Sequence, residues 1–172
     1  MSDILAFSKA HVMAGVPSLN WIEGPKTNPN ATPHYLSMIF GKVAIGNQPQ
    51  VYGTWTNNAD QAWSWDSTNK QISAGSFCMV DPADGSNMAR LATCDASNAQ
   101  QQWNYNANNQ FINADSSNAL SITPPIAPMV ANTTYSAPVI MASSNPLDPA
   151  QKWRPEYNPL DGSSVMYRDA AQ

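Results

Sequence analysis

Charge is scarce in this sequence. Lys and Arg number 8 and Asp and Glu 12, together 12% of 172 residues, where a quarter is usual for a globular domain. Apolar residues nevertheless reach 42%, which excludes a chain held disordered by charge and low hydrophobicity. The formal charge of -4 and the scatter of the cations argue against nucleic acid as a partner, because a phosphate-tracking surface is clustered and basic. Long apolar runs are missing as well. None approaches the ~20 residues that cross a bilayer, so membrane insertion is not expected. The start, "MSDILAFSKAHVMAGV", sets Asp3 before the short apolar stretch "ILAF", whereas a secretory leader opens basic and carries about 7–15 apolar residues. The expectation is a cytoplasmic chain, or one released without a conventional leader, or a secreted one if a leader was removed.

Room for helices is short too. Fourteen prolines and 8 glycines interrupt the chain, and no apolar stripe at helical spacing is sustained. Short apolar segments recur instead, among them "YLSMIF", "VYGTW", "QISA", "FCMV", "ARLATC", "QFINA", "ALSI" and "APVIMA". Turn clusters such as "NNAD", "DSTN", "DPADGSN" and "NANN" separate them. Many short strands between turn signals predict an all-β domain. Chemistry-bearing patterns are absent. The serines of "AGSFC", "DGSNM" and "DGSSV" do not sit in a nucleophile elbow, and no Gly-rich phosphate loop occurs. His11 and His34 lie far from either cysteine in zinc spacing. No metal, cofactor or catalytic activity is expected. Cys78 and Cys94, 16 residues apart, leave a disulfide and a pair of buried thiols both open, according to compartment.

A repeated motif is what the chain does contain. Gln-x-Trp occurs at Gln61/Trp63, Gln101/Trp103 and Gln151/Trp153, at intervals of 40 and 50 residues. A period of this size marks one supersecondary unit used repeatedly. Ile72 and Ile112 both lie 11 residues after the preceding motif Gln and align inside strand-like runs. The third unit is longer by about ten residues, and the excess fits 123–136 as an inserted loop. Residues 1–34 match no unit; they are expected to form an N-terminal extension that could supply the first strand, ahead of a domain at 35–172.

Three such units, strongest over "FCMVDPADGSNMARLATCDASNAQQQWNY" (77–105), resemble the ricin B-type lectins, the Gln-x-Trp family of β-trefoils. The resemblance implies a pseudo-threefold barrel with a hairpin cap. In each lobe it implies a core Trp, and a Gln whose amide satisfies backbone groups at a chain corner. Trp65, in the place of Tyr105 and Pro155, is expected to pack at the edge. The resemblance also pairs Cys78 with Cys94, a link that would contribute about 3 kcal/mol if formed.

For function, the resemblance implies carbohydrate binding without catalysis. The partners are glycans or glycoproteins, galactose-type sugars among them, and useful affinity would draw on several lobes or on a homo-oligomer. Each family site combines an Asp just after the second-strand Cys, a stacking aromatic, and an Asn or Asp immediately before Gln-x-Trp. A sugar needs such a set because its rim is polar and its ring faces carry C–H patches. In the second unit "CMVD" puts Asp81 one place late, with Val80 where the acid belongs; a one-residue slip reverses the face, so Asp81 serves only if the turn at Pro82 redirects it. Gln100 precedes the motif there, with Asn98 nearby. The aromatic position, about ten residues before the Gln, holds Val51, Leu91 and Met141. The third unit has Ile122 at the acid and Ala150 before the motif, and is not expected to bind. The first keeps Asp60, with Tyr52 and Trp55 nearby, but "LSMI" offers no carboxylate. A site there would be rebuilt from Asn57, Asn58 and Asp60 with Trp55 as platform, unless Tyr52 and Trp55 simply pack the barrel. The second lobe, with Asp81, Asn98 and Gln100, is the first choice, and Asp81 is expected to be a turn carboxylate of little weight in the core. Two other readings stay open. One is a β-trefoil protein-binding module such as a protease inhibitor, contacting its partner through 123–136. The other is the targeting subunit of a multicomponent toxin, docked through 1–34.

Overall fold

The computed structural model describes residues 21–24, 34–52, 59–123 and 136–156. The expected loop at 123–136 falls almost wholly outside these, as do Trp55, Asn57, Asn58 and most of 1–34. Among the described residues there are twelve strands, four to a lobe. The first lobe holds β1 (Trp21–Gly24), β2 (His34–Met38), β3 (Pro49–Tyr52) and β4 (Trp63–Asp66). The second holds β5 (Gln71–Ala74), β6 (Phe77–Val80), β7 (Arg90–Thr93) and β8 (Trp103–Tyr105). The third holds β9 (Phe111–Asn113), β10 (Ala119–Ile122), β11 (Ser136–Ala142) and β12 (Arg154–Glu156). Every pairing is antiparallel, and β1 closes the ring by pairing with β12.

Side-chain alternation fixes the inside of each lobe. The hairpins β2–β3, β6–β7 and β10–β11 align Leu36 with Val51, Met79 with Leu91 and Leu120 with Met141. All six residues are buried, so neighbours along each strand face away from them. Each lobe reaches the next. The Gly46 N–H donates to the Leu91 carbonyl at 2.7 Å, and the Met141 N–H to the Asn87 carbonyl at 2.8 Å. In the third step Ala137 pairs with Val51. Three equivalent hairpins in a closed cycle make a β-trefoil.

The Gln-x-Trp corners hold this ring together. Trp63, Trp103 and Trp153 are at most 1% exposed. The Trp103 and Trp153 indoles donate to the carbonyls of Met79 (3.1 Å) and Leu120 (2.8 Å) on the second strands. Their backbone N–H groups donate to Lys70 and Asn109 in the preceding β-turn, both at 2.8 Å. Gln101 accepts from the Asp95 N–H and donates to the Thr93 carbonyl; Gln151 does the same with Asn145 and Ser143. A buried amide thus turns the chain where the strand ladder ends, and its own polar atoms are satisfied. The half-buried Trp65 packs edge-on against Phe111, ring centroids 5.1 Å apart.

Two alignments read from the sequence shift by one residue. Trp65 pairs with Ile72, but the equivalent Tyr105 pairs with Phe111. Phe111 is therefore the core residue and Ile112 is only half-buried, because the second hairpin turn is shorter by one. "YLSMIF" also stops being a strand at Met38. Ile39–Gly41 then forms a tight turn in which Phe40 (φ 59, ψ 19) and Gly41 (φ 65) are both left-handed.

Candidate carbohydrate site

Register defines which residues surround the corner in front of each motif. Opposite the buried face, β2–β3 presents Tyr35 and Ser37 beside Tyr52 and Gln50. The matching positions of β6–β7 are Cys78, Val80, Ala92 and Arg90. Those of β10–β11 are Ala119, Ser121, Ala142 and Ile140. The family's acid position thus holds Ser37, Val80 and, in place of the Ile122 read from the sequence, Ser121, and no lobe places a carboxylate there. The aromatic position is corrected by one residue. Val51, Leu91 and Met141 are core, and the residue beside the corner is the next one, Tyr52, Ala92 or Ala142. The alternation of a strand makes that single step decisive. Tyr52 could have been found by counting from the strand's apolar phase rather than back from the motif.

The first lobe carries the polar set. Asp60, immediately before Gln61, accepts a hydrogen bond from the Ser37 hydroxyl on Oδ2 at 2.6 Å. Its backbone is pinned from behind, because the Trp63 indole donates to the Asp60 carbonyl at 2.9 Å where the other two motif tryptophans reach the second strand. Asp60 is half-buried. Ser37 is 1% exposed, and it fixes the direction of the carboxylate. Gln50 donates its amide to the Met38 carbonyl at 3.2 Å, and Tyr35 and Tyr52 pair across the strands, both half-buried. Across the corner, Gly41 lies so close that a Cβ there would stand 3.9 Å from the Asp60 carboxyl carbon. Beside it Phe40 is 97% exposed. The sequence reading missed Phe40 because it closed an apolar segment that looked like one continuous strand.

The second lobe is arranged otherwise. Asp81 is 4% exposed, which overturns its reading as a free turn carboxylate. The register sets it level with Met38 and Ile122, two core residues. Alternation alone thus carries it inward, where Asp81 Oδ1 accepts from the Ala83 N–H at 3.0 Å and Oδ2 from the Ser116 hydroxyl at 2.6 Å. Asn98 caps the short turn Ala99–Gln101 by accepting from the Gln100 N–H. The Gln100 carbonyl accepts from the Asp81 N–H and from the Asn113 amide, and its side chain is half-buried. Cys78 and Cys94 are joined in a disulfide, Cα atoms 4.8 Å apart, so the place of Tyr35 is filled by a bridge. Arg90 is tied to Asp84 at 3.2 Å. This lobe therefore offers a cation, a valine and an alanine where the first offers two tyrosines, a serine and a carboxylate. Among the described residues no group of three or more His, Cys, Asp or Glu is placed to hold a metal ion.

Similarity to known proteins agrees with this architecture. The profile of the "Ricin-type beta-trefoil lectin domain" matches residues 29–153. A search of curated protein sequences finds no match. Among solved structures, a non-toxic homologue of type II RIPs from Momordica charantia (bitter gourd), in complex with α-methyl-D-galactoside, superposes with a TM-score of 0.60 at 14% identity, over 80% of this chain and 47% of that one. GalNAc-T7 with UDP, GalNAc and Mn2+ gives 0.59 at 15% identity, over 87% of this chain and 25% of that one. The earthworm R-type lectin C-half in complex with GalNAc gives 0.57 at 14% identity, over 81% and 98%. The chain thus spans a quarter to a half of the first two and nearly all of the third. At these identities the superpositions establish the fold, and the matched profile, covering well over half of the sequence, establishes the family. The chain belongs to the ricin-type β-trefoil lectin domains.

Proposed function

We propose that the protein binds neutral glycans without chemistry, through its first lobe. One observation carries the choice of lobe: only on β2–β3 do aromatic side chains share a face with a hydroxyl that aims a carboxylate. In this reading Asp60 accepts hydrogen bonds from two sugar hydroxyls, and Ser37 holds it in place. Tyr52 stacks on a C–H face of the ring. The second lobe's Asp81, Asn98 and Gln100 serve instead to hold that lobe's corner. Galactose-type sugars are the first class to test, since all three of the similar structures were solved with GalNAc or a methyl galactoside. Binding by one lobe is weak, because each hydrogen bond nets about 1 kcal/mol and a shallow site leaves much of the ligand wet.

A glycan array with the full chain tests the proposal. Asp60→Ala and Tyr52→Ala are expected to reduce binding at least tenfold, about 1.4 kcal/mol, while Arg90→Ala keeps the parent's profile. Loss with Arg90→Ala or Gln100→Ala, and not with the first pair, moves the site to the second lobe. A blank array for the parent ends the carbohydrate reading and leaves the protein-binding module in its place.

A further inference from the structure

Phe40 is unusual in three respects at once. It is a large apolar side chain left 97% exposed, so no packing role accounts for it. Its backbone is left-handed, φ 59 and ψ 19, and the next residue, Gly41, has φ 65. With the Lys42 N–H donating to the Ile39 carbonyl, this is a type I′ turn, whose first central position favours Asn, Asp or Gly and penalises residues with bulkier side chains. The third respect is place. Gly41 borders the Asp60 carboxylate, so the strained turn that carries Phe40 lies at the rim of the first-lobe site. Such outliers persist where surrounding structure holds them, and they cluster at ligand clamps.

Resting on the first-lobe reading above, we infer that Phe40 is a second platform, which stacks on the sugar ring linked to the one that Asp60 holds. The first-lobe site is then built for a disaccharide or longer glycan rather than for a single ring. An exposed phenyl face suits the C–H side of a pyranose, and it needs no further polar partner because the linked ring keeps its hydroxyls in water. The turn adds to this by fixing the ring's base, so little backbone freedom is lost on binding.

The experiment measures the parent, Phe40→Ala, Phe40→Asn and Asp60→Ala, all full-length, on an array that carries monosaccharides beside oligosaccharides ending in them. The parent is expected to bind an oligosaccharide about tenfold more tightly than its terminal monosaccharide, an increment of the size aromatic stacking supplies. Phe40→Ala and Phe40→Asn should erase that increment and leave the monosaccharide signal unchanged. Phe40→Asn should also melt at or above the parent's temperature, since Asn suits the turn better, and this separates a lost platform from a damaged fold. If both Phe40 variants bind every glycan like the parent while Asp60→Ala does not, the platform is refuted and the first-lobe site survives. If Asp60→Ala also binds like the parent, the first-lobe reading falls and the platform with it.

Discussion

At Asp81 a carboxyl group stands in a ring of residues that Met38 and Ile122 complete in the other two lobes. A buried carboxylate is tolerated only when its oxygens are used. Here a backbone N–H two residues on and a hydroxyl 35 residues on supply the partners. The second of these joins the second lobe to the loop that opens the third. Asp81→Ala is therefore expected to destabilise the fold by about 1–3 kcal/mol, the cost of leaving buried donors without an acceptor. It should leave the glycan profile intact. A urea or thermal melt indistinguishable from the parent's would show that the carboxyl group is not held inside. The sequence did reveal that Val80 occupies the family's acid position and that Asp81 is displaced. It did not reveal where the displaced group goes, because Ser116 is too distant in the chain for any local pattern to name it. The six motif residues were legible for the opposite reason: a spacing repeated three times is itself long-range information.

Strands and turns divide differently between what pattern shows and what it hides. Short apolar runs between turn clusters sufficed to place most of the strands. Phase within them was less secure, since one residue more or less in a hairpin turn exchanges the two faces. Ile112 for Phe111 is that error, whereas Val51 for Tyr52 comes from counting back from the motif onto the core face. The turns themselves are held by acidic side chains. Asp66 accepts from the Thr68 and Asn69 N–H groups, Asp84 from the Ser86 N–H, and Asp95 from the Ser97 N–H and hydroxyl. Hydrogen bonds from Asn69, Ser86 and Ser97 respectively hold these three carboxyl groups below their ordinary value of 3.8. A carboxyl group with a lowered pKa in the fold contributes stability above its unfolded pKa and loses it as pH falls through the folded one. The melting temperature should accordingly keep the full contribution of these turns, unchanged with pH, between pH 6 and 8, and lose it below about pH 4. Asp66→Asn, Asp84→Asn and Asp95→Asn combined should flatten the acid limb. An acid limb as steep as the parent's would remove these turns as its cause.

On the scale of the whole molecule, threefold repetition serves the fold more than the binding surface. The buried hairpin positions keep their apolar character in all three lobes: Leu36, Met79 and Leu120 on one strand, Val51, Leu91 and Met141 on the other. The outward positions have no such agreement. Tyr, Ser, Gln and Tyr in the first lobe become Cys, Val, Arg and Ala in the second, and Ala, Ser, Ile and Ala in the third. Core positions answer to neighbours that the symmetry repeats, whereas an outward position answers only to its own ligand. A titration of the full chain with the best-bound oligosaccharide of the array should saturate at one ligand per chain. Amide resonance shifts should be confined to β2, the Ile39–Gly41 turn, β3 and residues 59–61. With a single weak site, strong attachment to a glycan-bearing surface requires several chains presented together, whose linked sites raise the local concentration of one another. Three ligands per chain, with shifts on the matching faces of β6–β7 and β10–β11, would mean that Val80 and Ser121 support binding without a carboxylate or an aromatic. The contrast between the lobes would then say nothing about the site.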